Sequence, residues 1–589
     1  MALSPPYKPE AQTYYNKGIT LYRQQRHQEA VDMLEQAVEI DPTHHEALGL
    51  LGKITRENGY ISESIECYAL AIRANDNVGA YQKAFIELIA FHSVTKFNEE
   101  LKDLILRCLH AKEIDVAKAR LPWYGMLMKD PAFRPLSKLM DKKSYDAFES
   151  AFLKLKDCSV LAAPYLTVGL SKLLICKMPF EHLMTYLRRF FCHHHDSDKN
   201  PLKENETLEF LSALACYAHG TDYIFATTKA ELEKVETLKN NIQTGKHEPW
   251  DVALYACYAP LTTLDNGTVI ANHYKSSKPL DRIMDLQIAQ MEEHNSIEKA
   301  VPALTKITDS VSGKVREQYE IFPYPRWSSY DQDIKNEKTE SFLRDGKPDI
   351  LVAGCGTGKE AIELAHVFPN AHVLAIDLSR NSLAYGIRQA RLHGINNIDF
   401  RQADILELGT LDQRFDYIAS SGVLHHMDKP EEGLRILAGL LKSGGTMRLA
   451  FYSRRARHAI NKTRDVIQKN EIGRNDQAIR NFRAGIKDYV DKKTFENISS
   501  FADYFNLNEC RDLLFHVQEH QYDLLQIKEM LTRNGLEFSE FYLPEDTLKK
   551  YGKMFPQDTE RKNLDLWAKF EEREPDTFKE MFRFWCVKT

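Results

Sequence analysis

The spacing of apolar and polar positions divides the 589 residues into two regimes. Up to about residue 310, apolar side chains recur at three- and four-residue intervals, as in "TLEFLSALACYAHGTDYIF" and "AELEKVETLKNNI", which predicts amphipathic helices throughout. From residue 349 onward, short apolar runs bounded by glycine alternate with helical patterns. "PDILVAGCGTGKEAIELA" reads as a buried strand, a glycine turn and a helix. "HVLAIDLS", "FRQADILEL", "FDYIASSGVLHHM" and "LLKSGGTMRLAFYS" supply further strands in order. "LLQIKEMLTRNGLEFSEFYLP" reads as a helix stopped at Gly535 and followed by a strand, and "FRFWCVKT" as a last one. This alternation predicts an α/β domain behind an all-helical region.

The helical region is internally repetitive. "YNKGITLYRQQRHQEAVDMLEQAVEIDP" and "LGLLGKITRENGYISESIECYALAIRAND" align at a spacing of 34, Gly18 with Gly52, Leu34 with Tyr68 and Ala37 with Ala71. Small residues at Gly18, Gly52, Ala30, Ala37 and Ala71 let paired helices approach closely, and Pro42 follows the second helix. The pattern resembles the tetratricopeptide repeat from Ala11 to about Asp76, with a decayed third unit to about His110. Arrays of this kind bind peptides or mediate assembly through a concave face; a structural cap on the next domain is the alternative.

The glycine turn narrows the chemistry. Glycines fall at 354, 356 and 358, but Lys359 stands where a dinucleotide fingerprint needs its third glycine, and Glu360 replaces the Ser/Thr of a phosphate-cradling loop. The ordered series of glycine turn, Asp377, Asp404, fourth strand and Gly-Gly turn resembles the class I S-adenosylmethionine-dependent methyltransferases, a Rossmann-like fold of seven strands. That resemblance implies that the backbone at Gly354, Cys355, Gly356 and Gly358 approaches the cofactor's methionine and ribose. It implies that Asp377, with Leu378 beside it, accepts the ribose hydroxyls. Asp404 faces the adenine amino group, Ile405 packs on the ring, and Ser421 lies at the strand end that faces the sulfonium methyl. The domains expected are 1–110 (repeats), 111–310 (helical) and 311–589 (methyltransferase), with insertions at about 454–521 and 544–581. The first insertion leaves the carboxyl edge of the sheet, where open α/β sheets bind ligands, so it is expected to cover the substrate.

Candidate chemistry clusters around that edge. "SSGVLHHM" lacks the [D/N]PPY of exocyclic-amine methyltransferases acting on DNA, which points to small molecules or protein side chains as acceptors. His425 and His426 either relay a proton or shape the pocket. "HVQEH" matches a zinc-binding pattern in form; on a helix, His516 and His520 would share a face and could hold zinc, contact substrate or simply pack near the N-cap candidate Asp523. No metal is expected on balance. "CHHHDSDKN" is expected to be a solvated loop. In "YEIFPYPRW", Pro323 and Pro325 force extended backbone, so Tyr319 and Tyr324 could present rings or hydroxyls to an acceptor amine and Arg326 could pair with the cofactor's carboxylate. A strap pinned to the sheet by Phe322 and Trp327 is the alternative.

Composition sets bounds. Hydrophobic residues make up 43% and charged residues 28%, an ordinary globular balance, and the net charge of −6 gives no general reason to expect nucleic acid as a partner. The ten cysteines are scattered without a CxxC pair, consistent with reduced thiols. "MALSPPYKPE" does not read as a secretory signal and no apolar run approaches the roughly 18 residues of a membrane span, so a cytoplasmic protein off the membrane is expected.

The whole combination resembles a bacterial family of tetratricopeptide-containing methyltransferases, similar to the lysine methyltransferases of outer-membrane proteins. It implies a lysine amine in a protein or peptide as acceptor, contacted in part by the helical repeats, in a chain that could dimerise. Two other readings stand: a metabolite methyltransferase whose repeats serve assembly, and a repeat scaffold with an inactive domain. The intact Gly354, Gly356, Gly358, Asp377 and Asp404 oppose the last.

Overall fold

A computed structural model of the chain describes residues 7–111, 114–320, 323, 325–327, 330 and 346–589, with the backbone alone at 314 and 317–320. It forms two compact units, Met1–Gln287 and Ile288–Thr589.

The first unit is all helical. Its repeats are the pairs Pro9–Arg23 with His27–Ile40, His45–Glu57 with Ile61–Ala74, and Gly79–Ile89 with Glu99–His110. The small residues have the predicted role: a Cβ built on Gly18 would lie 2.8 Å from Leu34, and one on Gly52 3.0 Å from the Tyr68 ring. Ala30, Ala37 and Ala71 are fully buried. The reading of "CHHHDSDKN" as a solvated loop holds for Asp196 to Asn200, which follow a turn at His195, and is corrected for Cys192 to His194. Cys192 to His194 form the last turn of the helix Met178–His194, because the apolar period of "FEHLMTYLRRFFC" carries through it. His194 Nε2 lies 2.8 Å from Glu149 and His195 Nε2 3.3 Å from Asp251.

The second unit is built on a seven-stranded sheet in the order β3-β2-β1-β4-β5-β7-β6. The strands are β1 (Asp349–Ala353), β2 (His372–Asp377), β3 (Ile398–Gln402), β4 (Phe415–Ser421), β5 (Leu441–Phe451), β6 (Leu536–Phe541) and β7 (Phe582–Lys588). β1 to β5 run parallel, and β7 is antiparallel to both β5 and β6. The central strands are apolar on both faces because helices cover both; Ile350, Leu351, Ile376 and Ile418 have no exposed surface. β1, β2, β4 and β5 therefore end on one edge, and the loops that follow them share one crevice. At the β3 end, Ala303 pairs in parallel with Gln402 and extends the sheet by one short segment.

Two insertions flank that edge. Residues 454–521 contribute the helices His458–Lys469, Asp476–Ala484, Lys492–Ile498 and Leu507–Phe515; residues 544–581 contribute Glu545–Met554 and Leu564–Arg573. The second is tied to the chain just beyond β5 by a buried bond in which Ser453 Oγ donates to Glu571 Oε1 at 2.5 Å, and to the first by Lys579 Nζ, which donates to Ser500 Oγ at 2.7 Å. Tyr551 stacks on Trp567 at 3.7 Å, which gives the second insertion its own aromatic core. Among the described residues no helix is long and apolar enough to cross a membrane.

Gly52→Val tests the repeat packing. Overfilling a close helix contact costs about 1–3 kcal/mol, so the denaturation midpoint of the helical unit should fall; an unchanged midpoint contradicts the close approach.

Candidate functional site

The turn after β1 is fixed by its own backbone. Gly354, Gly356 and Gly358 have φ of 74°, 52° and 79°, values that an L side chain resists. Gly354 N–H and Cys355 N–H both donate to the Ile376 carbonyl at 2.8 Å, which ties the turn to the end of β2. Gly354 has a second reason to be glycine: a Cβ there would lie 2.4 Å from the Val423 side chain, just beyond β4. Gly358 is the N-cap of the helix Lys359–Val367, whose first N–H groups have no partner within the helix.

Two carboxylates flank the turn. Asp377, the last residue of β2, accepts from Gly356 N–H at 2.8 Å through Oδ2 and from Ser379 N–H at 2.9 Å through Oδ1. Each oxygen retains a lone pair. Burial raises its pKa and the amide bonds oppose that rise. Asp404, beyond β3, is 2% exposed. Its Oδ1 accepts from Leu406 N–H at 3.0 Å, while Oδ2 has no hydrogen-bond partner within 3.5 Å among the described residues. Burial raises its pKa, eased by the Leu406 amide and the nearby Ser312 hydroxyl. Thr305 Oγ1 takes the Asp404 backbone N–H at 2.8 Å. Ile405 is buried beside it, and Cys355, Leu378 and Ser421 are half-buried around the turn. A buried, unpartnered acceptor is costly and suits a ligand that brings an N–H donor; a carboxylate with free lone pairs suits a diol. This donor set fits S-adenosylmethionine.

The proline-aromatic segment touches the turn directly. Thr357 Oγ1 donates to the Pro325 carbonyl. Trp327 Nε1 donates to Thr357 O at 3.2 Å and Oγ1 at 3.1 Å, and Trp327 N–H donates to Tyr385 Oη at 3.1 Å. Trp327 thus pins the segment to the glycine turn and to the helix Arg380–Leu392. Arg326 is half-buried; burial lowers its pKa, with Tyr385 and Glu509 acting against that. Tyr324 and Phe322 lie outside the described residues, as does the side chain of Tyr319, whose backbone belongs to the helix Ser310–Glu320.

After β4, aromatic and imidazole rings form a continuous run of contacts, stacked at one end and edge-on or tilted along the rest. His516 lies on His426 at 3.9 Å, His426 meets His425 at 4.3 Å, and His425 meets Tyr452 at 4.3 Å. The Arg457 guanidinium covers the Tyr452 ring at 3.5 Å. The core supplies the middle of the run, with His425 and His426 after β4 and Tyr452 after β5, and the insertion supplies its two ends, Arg457 and His516. His425 has no exposed surface, and neither ring nitrogen has a hydrogen-bond partner among the described residues. Burial, His426 and Arg457 hold its pKa well below the usual imidazole range, so it presents one N–H and one lone pair.

The helical reading of "HVQEH" is corrected. The helix Leu507–Phe515 ends before it, and residues 516–520 run as an extended strap. His520 N–H donates to the His425 carbonyl at 2.8 Å and His426 Nδ1 donates to the Gln518 carbonyl at 2.8 Å. His516 and His520 therefore do not share a helix face. Asp523 is the N-cap of Leu524–Arg533, accepting from Gln526 N–H at 2.9 Å. Ligand atoms of His426, Asp512 and His516 do come within 4.8 Å of one another. Their geometry is wrong for a shared ion, because a metal sits in the plane of each imidazole it binds and these two rings are stacked 28° apart. Sequence reasoning missed Tyr452, Arg457 and Glu519, which meet only through tertiary contacts.

Comparison with known proteins agrees with this geometry. Residues 347–503 match the family model described as "Methyltransferase domain" and residues 11–44 that of the tetratricopeptide repeat. An uncharacterized protein of Synechococcus sp. is 28% identical over 258 residues, covering 40% of this chain and 60% of that one. A demethylmenaquinone methyltransferase of Clavibacter sepedonicus is 35% identical over 103 residues, 18% of this chain and 40% of that one. The chain thus spans less than two thirds of the length of these relatives. Among solved structures, PKMT2 from Rickettsia typhi in complex with AdoHcy is 18% identical, covers 45% of this chain and 54% of that chain, and has a TM-score of 0.34. The second unit carries a class I methyltransferase domain, whose cofactor is S-adenosylmethionine.

Gly354→Ala should combine a strained φ with a clash at Val423, costing of order 1–3 kcal/mol. A lowered unfolding midpoint of the sheet unit, with loss of cofactor binding, is the expected result. A pH prediction follows from His516, whose pKa burial and the neighbouring His426 and Arg464 push down to about 3, against Asp512 and Glu519. The unfolded chain binds this proton near pH 6.5 and the folded one does not, so its contribution falls as pH drops from about 6.5 toward 3. Asp503, raised to about 6 by burial and Asp512, acts in the opposite sense, so the comparison is made against a variant. His516→Gln should flatten the dependence of the unfolding midpoint between pH 6.5 and 5; parallel curves contradict it.

Proposed function

We propose that the chain transfers a methyl group from S-adenosylmethionine to an amine of a protein side chain, lysine being the favoured acceptor. The observation that carries this reading is that two buried groups beyond parallel strands of one sheet, Asp404 Oδ2 after β3 and the His425 ring after β4, have no hydrogen-bond partner among the described residues. The first is a site for an exocyclic amino group and the second for an acceptor that both donates and accepts hydrogen bonds.

When bound, S-adenosylmethionine supplies the methyl group on a sulfonium. The residues of the chain do the rest. Asp377 would hold the ribose diol, Gly354 to Gly358 would let backbone approach closely, Asp404 would orient the adenine amino group, and Arg326 would stand near the carboxylate end. His425 remains neutral, so its lone pair accepts an N–H from an uncharged amine and leaves the amine lone pair free to face the methyl. Burial of this wall excludes water and favours the uncharged amine over the ammonium. Tyr319 and Tyr324 are the further candidates for orienting that amine. The repeats supply a surface for a protein partner, which supports a protein acceptor; a homodimer is compatible with the same array. A metabolite acceptor is the second reading, favoured by the likeness to the Clavibacter sepedonicus enzyme.

Tritiated S-adenosylmethionine, incubated with the full chain and a proteome extract, should label discrete protein bands. Label confined to the low-molecular-weight fraction would establish the metabolite reading. Asp377→Ala should weaken cofactor binding in calorimetry roughly 10- to 100-fold, the value of a charge-assisted hydrogen bond; unchanged affinity contradicts the assignment of Asp377.

A further inference from the structure

The strap 516–522 does more than cover the edge. His520 N–H bonds the His425 carbonyl, and Tyr522 N–H bonds the Tyr452 carbonyl at 2.9 Å, so the strap runs across both residues of the acceptor wall. Its one acid, Glu519, points away from solvent, with a side chain 2% exposed. Glu519 Oε2 accepts from Arg457 Nη2 at 2.6 Å and Oε1 from Arg457 Nε at 3.2 Å, a two-point grip on the guanidinium. Arg464 Nη2 donates to the same Oε2 at 2.9 Å and also to the Leu513 carbonyl at 2.7 Å. Gln521 Nε2 closes the set on Oε1 at 2.8 Å.

A guanidinium gripped at two points has a fixed plane, and here that plane lies on the Tyr452 ring, whose other neighbour is His425. The Tyr452 hydroxyl makes no hydrogen bond to a described residue. The chain of contacts therefore runs from Glu519 to Arg457, to Tyr452 and to the imidazole that the mechanism uses. Glu519 also sets the charge: its carboxylate offsets Arg457 beside three imidazoles, and both act on His425 electrostatically.

We propose that Glu519 is a positioning residue for methyl transfer: through Arg457 and Tyr452 it fixes where His425 presents its ring nitrogens to the acceptor. This rests on the reading that the acceptor meets His425. It gives the "HVQEH" segment a role without metal, in which the acid orients a side chain and the flanking backbone amides and carbonyls hold the turn.

The test compares the wild-type full chain with Glu519→Gln, His425→Ala and the double variant, and Glu519→Asp tests rescue by a shorter carboxylate. Glu519→Gln should bind S-adenosylhomocysteine within about twofold of wild type, since the cofactor residues lie elsewhere. Its kcat for label transfer to protein should fall on the order of 10- to 100-fold with KM little changed, as expected of an ångström-scale misplacement. In the His425→Ala background the same substitution should cost nothing further; independent, multiplying losses overturn the proposal. A second readout requires no acceptor. The imidazole ¹⁵N signals of His425, assigned by their loss in His425→Ala, should move in Glu519→Gln and return toward wild type in Glu519→Asp. If they stay in place, the positioning role is wrong even where transfer is lost. If wild type labels no acceptor, the proposed function fails and these signals alone decide the role of Glu519.

Discussion

Two amide hydrogens on one carbonyl set the geometry of this site. Gly354 and Cys355 both donate to Ile376, and that doubled bond draws the turn after β1 onto the end of β2. The next amide, Gly356, reaches Asp377. Side chains at 354 or 356 would hold the required positive φ values only at a cost of about 1–2 kcal/mol each. The absence of a Cβ at Gly354 also lets Val423, just beyond β4, close in on the turn. The turn after β1 and the residue Val423 after β4 are thus brought together at a single glycine.

What surrounds the turn is arranged to keep it in place. Thr357 and Tyr385 hold Pro325 and Trp327 against it from one side. After β4, the insertion places a guanidinium and an imidazole at the two ends of a run of rings. Burying that much charge is tolerable only because Glu519 serves two arginines at once; removal of one partner from such a group leaves an uncompensated charge, which costs several kcal/mol. Burial, helped by the neighbouring arginines and opposed by Glu519, lowers the pKa values of these imidazoles, and an uncharged wall is what the proposed amine acceptor requires.

The fold was legible because its signals are local. Positive-φ glycines, an acid closing β2 and strands apolar on both faces each declare themselves within a few residues, and a 34-residue period exposes the repeats. The candidate site was half legible. Asp377 and Asp404 are marked by their strand ends, whereas Arg457 and Glu519 are 62 residues apart and meet only in the folded insertion. "HVQEH" misled because helical spacing of two histidines is a local pattern, and here tertiary contacts with the His425 turn overrode it. The start of "CHHHDSDKN" misled in the opposite direction: its polarity suggested a loop, but the helix before it continued through His194, with Glu149 and Asp251 as partners for two of the rings. Trp327 could be read as an anchor, but its partner Thr357 could not be named from sequence.

The central claim is that the buried, unpartnered oxygen of Asp404 faces an adenine amino group. Titration calorimetry of the full chain with S-adenosylhomocysteine and with its inosyl analogue, in which the amino group is replaced by a carbonyl oxygen, tests it most directly. A site built to hydrogen-bond one group rejects the analogue that lacks it. The account predicts that the inosyl compound binds at least about tenfold more weakly, as loss of one charge-assisted bond requires, and that Asp404→Asn abolishes the difference. Equal affinity of the wild-type chain for the two compounds would contradict it.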